Sequence, residues 1–312
     1  MNREKTVDVI IPTYKPGERF LRLLSMLEQQ DYPIGKIIIM NTEQSYWKKE
    51  YETSERLEVH HLSKREFDHG GTRGRGVSYS SADIVVFLTD DAVPKDRHLI
   101  GRLATGFEKA DRVAEVYARQ LPAEDCRILE RYTREFNYPG ESQVKTMADL
   151  DRLGIKTYFA SNVCCAYDRR IYLELGGFTK RTIFNEDMIF AAGAIKAGYA
   201  VVYEAGARVI HSHNLSGREQ FKRNFDLAVS QADHPEVFGG IKSESEGIRL
   251  VKDTAKYLLR SKKGYWIGPL IYYSGCKYLG YRLGKRYRRL PERLVLACTM
   301  NRAYWEKGGG MR

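Results

Sequence analysis

The sequence predicts an α/β fold with a mostly parallel central sheet, followed by a helical C-terminal region. Apolar runs rich in β-branched residues, each long enough for one buried strand, alternate with segments whose apolar residues recur at helical spacing. The clearest run, residues 84–88, leads into two adjacent carboxylates, Asp90 and Asp91. Because open α/β sheets bind ligands beyond the carboxyl ends of their strands, we expect the functional site there.

Length, charge and cysteine content limit the classes of protein to which this chain can belong. The chain has 312 residues, and we expect one domain over residues 1–216 and a helical region over residues 217–312. Its net charge of +11 predicts an anionic partner, which leaves nucleotide phosphates, nucleic acid and an anionic membrane surface open. Five cysteines without CxxC or zinc spacing favour a reducing compartment. No signal-peptide or membrane-spanning run is present, so we expect a cytoplasmic protein.

A βαβ unit opens the chain. Residues 7–12 predict a strand that ends at proline, residues 18–30 predict a helix, and residues 36–40 predict a second strand. Asn41 follows this second strand directly. The chain contains neither GxGxxG nor GxxxxGK[ST], which argues against an ordinary dinucleotide site or a P-loop.

A glycine-rich stretch over residues 67–76 has the most unusual local composition in the chain. Glycine is costly inside a helix, so the stretch predicts a loop after a third strand over residues 57–62. Backbone N–H groups at Gly70 and Gly71, together with Arg73, would suit phosphate oxygens. The alternative is a flexible loop with a basic rim and no ligand.

The carboxylates Asp90 and Asp91 suit a hard divalent cation, which can in turn bind a nucleotide diphosphate. The alternative is an acidic loop or the N-cap of a helix predicted over residues 98–110. A strand over residues 113–119 comes next, and the polar, irregular residues 121–154 are the segment that we expect to form a lid.

The second half of the predicted domain carries further candidates at the ends of its elements. A strand is predicted over residues 158–167, followed by a short helix that Asp168 caps. Glu186 and Asp187 begin another helix, where first-turn carboxylates are often only partners of the helix dipole. Short strands over residues 201–203 and 208–210 precede His211-Ser-His213, and a histidine at a strand end can ligate a metal, although a lone histidine is more often structural.

The order of these motifs resembles the family 2 glycosyltransferases of the GT-A fold over about residues 7–216. The residues that carry the resemblance are Ile10-Ile-Pro-Thr-Tyr14, Asp90-Asp91, Leu175-Gly-Gly-Phe178, Asn185-Glu-Asp187 and a late histidine. Two further stretches are similar to the bacterial rhamnosyltransferase branch of that family, Phe67-Asp-His-Gly-Gly-Thr-Arg73 and Val209-Ile-His-Ser-His-Asn214.

The resemblance implies an inverting transfer of a sugar, with dTDP-rhamnose as the expected donor and a saccharide or polyprenyl-linked saccharide of the bacterial cell surface as acceptor. It implies Mg²⁺ or Mn²⁺ on Asp91, with His211 or His213 completing the coordination, and Asp187 as general base. Asn185 and Glu186 are the expected acceptor-binding residues. The expected donor-binding residues are Pro12, Thr13, Tyr14, Asn41, Gly70, Gly71, Arg73 and Asp90.

Other functions remain open at this point. Asn41-Thr-Glu43 replaces the family's acidic end of the second strand and fits a base other than uracil, while galactofuranose, glucose or galactose are alternative sugars. A nucleotidyltransferase would also need carboxylates, a metal and a nucleotide. A basic nucleic-acid-binding protein would explain the charge, but the chain carries no RNP, KH or helix-turn-helix signature, so we expect no nucleic acid.

The C-terminal region combines aromatic residues with cations. Residues 265–273 and 278–287 are rich in apolar and aromatic side chains. The cations that accompany them are Lys277, Arg282, Lys285, Arg286, Arg288 and Arg289. This composition is typical of a segment on an anionic membrane surface, so we expect peripheral attachment to the inner face of the cell membrane. The alternative is a helical appendage that packs on the core and exposes a solvated basic face.

Overall fold

The computed structural model describes residues 4–240 and 243–306, which form two compact units. The first unit comprises residues 4–123, 138–180 and 186–212. The second comprises residues 124–137 and 181–185 together with the described residues from His213 onward. The domain boundary expected after Ser216 stays a prediction, because compact packing does not by itself define a domain that folds alone.

The first unit is built on one sheet, whose strands are numbered in chain order. Within the described residues the sheet has nine strands: β1 (Val7–Tyr14), β2 (Ile37–Thr42), β3 (Leu57–Leu62), β4 (Ile84–Leu88), β5 (Val93–Pro94), β6 (Val113–Leu121), β7 (Gln143–Lys145), β8 (Cys164–Asp168) and β9 (Ala200–Ile210). Their spatial order is β3-β2-β1-β4-β8-β6-β9-β5, and β7 pairs with β9.

The α/β class is confirmed, and the sheet is mixed rather than mostly parallel. The pairs β1–β2, β2–β3, β1–β4 and β6–β9 are parallel. The pairs β4–β8, β6–β8, β5–β9 and β7–β9 are antiparallel. Strand direction was not readable from the sequence because strands such as β4 are buried on both faces and show no polar alternation.

Helices are also numbered in chain order. In the described part of the chain they are α1 (Glu18–Glu28), α2 (His69–Ser78), α3 (Leu99–Gly106), α4 (Ile128–Asn137), α5 (Leu150–Leu153), α6 (Arg169–Glu174), α7 (Glu186–Lys196), α8 (Gly217–Asp233), α9 (Pro235–Phe238), α10 (Ser243–Arg260), α11 (Ile267–Gly284), α12 (Glu292–Cys298) and α13 (Arg302–Glu306). The helical C-terminal region is therefore confirmed.

Two local predictions are wrong. The glycine-rich stretch forms α2 instead of a loop, because Asp68 caps the helix by accepting a hydrogen bond from the backbone N–H of Gly71 at 2.7 Å. The irregular segment predicted over residues 121–154 contains α4, β7 and α5. The elements β7 and α5 are only three and four residues long, too short to show a periodic pattern. The apolar residues Ile128, Leu129, Tyr132 and Phe136 do recur at helical spacing in α4, so the sequence did carry a signal for that helix.

The first unit's core lies between the sheet and α1 and α3. Phe20, Leu23, Leu24 and Leu27 of α1 are all buried, as their helical spacing predicts. Buried apolar side chains from six strands of the sheet belong to the same cluster, and their burial holds in place the strand ends that carry the candidate site.

The second unit is a helical bundle with its own small core. Phe225 and Val229 of α8 pack with Tyr287, Val295 and Trp305. The close approach of α11 to α8 requires glycine, because a Cβ atom on Gly280 would lie 2.1 Å from the carbonyl oxygen of Phe221. None of the helices in the described residues combines the length and apolar character needed to cross a bilayer.

Candidate active site

Asp90 joins the carboxyl ends of β1 and β4. The Thr13 hydroxyl donates a hydrogen bond to Asp90 Oδ2 at 2.7 Å, and the backbone N–H of Tyr14 donates to the same oxygen at 3.4 Å. Burial raises the pKa of Asp90 above its ordinary value, while the bond from Thr13 opposes that rise. The structure thus brings three of the predicted donor-binding residues together, and it gives Asp90 the role of holding the two strand ends in register.

Asp91 faces the end of β9 rather than β1. Its Oδ1 lies 3.5 Å from Nε2 of His211, the first residue after β9. On the other side of the ring, His211 Nδ1 lies 2.9 Å from Gln120 Oε1. Since an amide oxygen only accepts, Nδ1 donates this bond, and Nε2 is the ring nitrogen that lies on the side of Asp91. Gln120 therefore orients the imidazole, a role that the sequence did not suggest.

The donor set at this point fits a divalent cation. Asp91 and His211 belong to a group of side chains that could hold a metal ion. They offer a carboxylate oxygen and an imidazole nitrogen. The amide oxygen of Gln120, which accepts a hydrogen bond from the other ring nitrogen of His211, is the kind of partner that a metal-ligating histidine usually has. Asp91 is 22% exposed, so a ligand can reach it, whereas His211 is buried. His213, the other predicted ligand, comes two residues later and is exposed.

Asp187 lies in the first turn of α7 with one backbone donor on each oxygen. The N–H of Asn162 donates to Oδ2 at 3.0 Å and the N–H of Met188 donates to Oδ1 at 2.8 Å. Burial raises the pKa of Asp187 to about 7, and the adjacent Glu186 carboxylate adds to the rise. A partly exposed carboxylate that titrates near neutral pH is suited to accept a proton.

Glu186 forms a buried ion pair with Arg73. Arg73 Nη1 lies 3.1 Å from Glu186 Oε1, and the same nitrogen donates to the carbonyl oxygen of His69 at 3.0 Å. Burial would raise the pKa of Glu186, but the guanidinium of Arg73, followed by His69, holds it below its usual range. Glu186 is therefore ionised beside an aspartate that titrates much higher. The two adjacent carboxylates therefore differ: Glu186 is the charged partner of Arg73, and Asp187 is the one that can take up a proton near neutral pH.

The glycines before and after Arg73 have packing roles. Gly71 donates to the capping residue Asp68, and Gly70 lies in the first turn of α2. A Cβ atom on Gly76 would lie 2.5 Å from Ile10 Cγ2, so glycine lets α2 lie directly on β1. Arg73 itself is 5% exposed and points at Glu186. Its predicted contact with phosphate oxygens, and those of Gly70 and Gly71, stay predictions.

Asn41, at the end of β2, is fully buried. Its Nδ2 lies 2.9 Å from His61 Nδ1 and donates to the carbonyl oxygen of Glu43 at 3.2 Å. Asn41 Oδ1 is buried without a hydrogen-bond partner in the part of the chain that the structure describes. Tyr14, at the end of β1, forms an exposed aromatic pair with Tyr46, and the two rings meet edge to face at 5.5 Å. Tyr46 was not predicted.

Asn185 is directed away from the carboxylates that follow it. It is buried at φ 64°, and its Nδ2 donates to the carbonyl oxygen of Leu227 in α8 at 3.4 Å. A contact between Asn185 and an acceptor stays a prediction. Asn162, which precedes β8, was also missed. The only signal in the sequence was a polar residue at the edge of an apolar run, and such residues are common.

Comparisons with known proteins agree with the motifs. Residues 8–176 match the sequence family described as Glycosyl transferase family 2. The chain is 38% identical to the O-antigen chain rhamnosyltransferase RfbN of Salmonella typhimurium, with 96% of each chain covered. It is 36% identical to the O-antigen chain rhamnosyltransferase WbaN of Salmonella anatum, with 95% of each covered.

A solved structure supports the fold. The mannosyltransferase PcManGT of Pyrobaculum calidifontis, in complex with GDP-Man and Mn²⁺, superposes with a TM-score of 0.54 at 16% sequence identity. The match covers 95% of this chain and 79% of that chain.

Proposed function

The chain belongs to glycosyl transferase family 2, and on that premise we propose that it transfers rhamnose from dTDP-rhamnose to a saccharide or polyprenyl-linked saccharide in cell-surface polysaccharide synthesis. The observation that carries the proposal is the 38% identity over 96% of the chain to an O-antigen rhamnosyltransferase. The likeness extends over both units, so it includes the second unit as well as the nucleotide-binding sheet.

Asp187 acts as the general base. Each of its oxygens accepts one backbone hydrogen bond, which leaves a lone pair on each for an acceptor hydroxyl. As the acceptor oxygen forms a bond to the anomeric carbon, its proton passes to Asp187. The bond from that carbon to the diphosphate breaks on the opposite face, and the nucleoside diphosphate leaves with the bonding electrons. One displacement inverts the anomeric configuration, so no covalent nucleophile is required.

Asp91, His211 and His213 hold the divalent cation. The pairing of Asp91 with an imidazole that Gln120 orients supports this assignment. Only Ser212 lies between His211 and His213, so their Cα atoms are at most about 7 Å apart, within reach of a shared ion. When bound there, Mg²⁺ or Mn²⁺ supplies positive charge against the diphosphate.

The nucleotide lies over the carboxyl ends of β1 and β2. Exposed rings of Tyr14 and Tyr46 offer a face for the base, and Lys15 Nζ lies 4.8 Å from the centre of the Tyr46 ring. Asn41 supports this end of β2 through His61.

A donor panel tests the proposal. The purified protein with Mn²⁺ and an oligosaccharide acceptor is offered dTDP-rhamnose, dTDP-glucose, UDP-galactose and UDP-galactofuranose. We expect transfer and release of dTDP with dTDP-rhamnose, and rates lower by at least about 100-fold with the others. Preference for a UDP-sugar would refute the donor assignment. Release of pyrophosphate would indicate nucleotidyl transfer instead.

We also propose that the second unit attaches the protein to an anionic membrane surface. Apolar side chains of α11 are strongly exposed, among them Ile271 at 66% and Tyr272 at 59%. Exposed cations follow them along the chain at Arg282, Lys285, Arg286, Arg288 and Arg289. Lys277, which we grouped with these cations from the sequence, is half-buried, and burial lowers its pKa. Each cation near such a surface contributes about 1 kcal/mol.

Vesicle sedimentation tests this attachment. We expect binding to vesicles with anionic lipid at low salt and release at high salt. A variant in which glutamine replaces Lys285, Arg286, Arg288 and Arg289 should bind these vesicles at least about tenfold more weakly. It should still transfer sugar to a soluble acceptor at the wild-type rate. A control with the same charge change on the first unit, at exposed Arg22, Lys49, Arg97 and Arg170, should bind like the wild type. Equal loss in both variants would show that only net charge matters.

A further inference from the structure

Asn162 contacts both carboxylates of the first turn of α7. Its backbone N–H donates to Asp187 Oδ2 at 3.0 Å, and its side-chain Nδ2 lies 3.3 Å from Glu186 Oε1. The residue is 2% exposed. Glu186 Oε1 is also the atom that pairs with Arg73, so the amide and the guanidinium meet at one oxygen. No other residue in the hydrogen bonds described for this turn bonds to both acids.

The amide of Asn162 is itself held from the far side. The Tyr167 hydroxyl donates to Asn162 Oδ1 at 2.8 Å. Tyr167 is fully buried in β8 and pairs in register with Val85 of β4. Its ring packs edge to face against Phe178 and Phe190 at 5.5 and 5.2 Å. A rigid sheet residue therefore fixes the orientation of the amide, with its donor end toward Glu186.

From this geometry we propose that Asn162 is a positioning residue for the general base. Its side chain, clamped between Tyr167 and Glu186, keeps the backbone N–H of the same residue aimed at Asp187 Oδ2. The inference rests on the proposed role of Asp187 as base. An alanine at this position retains the backbone donor but loses both side-chain anchors that hold it in place.

The consequence for pH dependence has a definite sign. A hydrogen bond donated to an ionised carboxylate favours the ionised form, so weakening it raises the pKa of Asp187. The charged and titratable groups that also face Asp187 are Glu186, Arg73, Cys165, Tyr167 and the fully buried Glu115. They are unchanged in an Asn162 variant. Because the base must be ionised, the acid limb of the kcat profile moves to higher pH when Asn162 is lost.

Two substitutions at one position separate positioning from packing. Asn162→Ala should move the acid limb upward by about 0.5–1 pH unit. From a pKa of about 7, this shift lowers the ionised fraction of Asp187 at pH 7, and with it kcat, by about two- to fivefold, with donor KM within about twofold. Asn162→Asp keeps the size of the side chain but puts a third carboxylate beside Glu186. It should move the limb further than Asn162→Ala does.

Two further variants complete the test. Tyr167→Phe removes the hydroxyl that donates to Asn162 and that also interacts with Glu115 and Cys165. It should shift the limb in the same direction as Asn162→Ala, but by less. Tyr203→Phe is the matched control, because it removes another buried phenol, whose hydroxyl donates to the carbonyl oxygen of Pro139 at 2.7 Å. We expect it to leave the limb unmoved.

An unshifted acid limb in Asn162→Ala and Tyr167→Phe would overturn the proposal, as would equal shifts in Tyr203→Phe. If Asn162→Ala does not fold, the comparison of the acid limbs of Tyr167→Phe and Tyr203→Phe tests the proposal by itself. If Asp187→Asn retains wild-type kcat, the base assignment fails, and that result is read independently of the Asn162 series.

Discussion

Replacing Arg73 by methionine should destabilise the protein strongly, because it leaves the buried Glu186 carboxylate without its counter-ion. The two side chains are 5% and 8% exposed and meet at 3.1 Å. Removing one partner of such a pair costs about 3–5 kcal/mol. A loss of this size is a large part of the ~5–15 kcal/mol that stabilises a typical domain.

The pH dependence of this loss also follows from the ion pair. Arg73 holds the pKa of Glu186 below its usual value, so the pair contributes stability above the unfolded-state pKa of the carboxyl. That contribution disappears as the pH falls through the lower, folded-state pKa. Urea denaturation of wild type and Arg73→Met at several pH values should therefore show a difference that is largest near neutral pH and shrinks in acid.

Two controls isolate the buried charge. Adding Glu186→Gln to Arg73→Met removes the unpaired charge and should recover most of the lost stability, to within about 1–2 kcal/mol of wild type. Arg170→Met breaks an exposed pair with Glu174 at 3.5 Å and should cost at most about 1 kcal/mol. A cost below about 1 kcal/mol for Arg73→Met would refute the reasoning, since it would mean that water solvates Glu186 in the native state.

Two further substitutions test the remaining parts of the site. Asp91→Ala should lower the rate of transfer on the order of 100-fold or more and abolish its dependence on Mn²⁺, measured by titrating the metal. Asp90→Asn should lower the rate less. Normal activity of Asp91→Ala at low Mn²⁺ would exclude this metal site. Gly76→Ala should destabilise the protein by about 1–3 kcal/mol in urea denaturation, because the new Cβ would lie 2.5 Å from the stiff, branched Ile10 side chain. An unchanged midpoint would show that α2 can move off β1.

The strands that carry the site could be predicted from the sequence, because a strand that is buried on both faces consists of a continuous run of apolar residues. Strand β4 was predicted with its observed limits, and Asp90 and Asp91 follow its end directly. The cap on α6 was also predicted, and Asp168 accepts a bond from the N–H of Ile171 at 3.1 Å. Such features depend on neighbours in the chain, so a local pattern reveals them.

What the sequence could not supply are contacts between residues that are distant in the chain. The pairing of Arg73 with Glu186 spans 113 residues, and the bond from His211 to Gln120 spans 91. Composition predicted that Arg73 would face phosphate because an arginine among glycines suits an anion in a loop. Asp68 capped a helix there instead and turned the guanidinium toward a buried carboxylate. The spacing of apolar residues along the chain does not reveal such a distant partner.

The central claim is that Asp187 removes the acceptor proton during sugar transfer, and one comparison tests it most directly. Transfer from dTDP-rhamnose is measured for wild type and Asp187→Asn above pH 7, where the wild-type base, with a pKa raised to about 7, is ionised. The account predicts that kcat falls on the order of 10³-fold while donor affinity changes by less than about threefold, because the carboxylate acts on the acceptor hydroxyl. A kcat within about tenfold of wild type, or weakened donor binding at unchanged kcat, would contradict it.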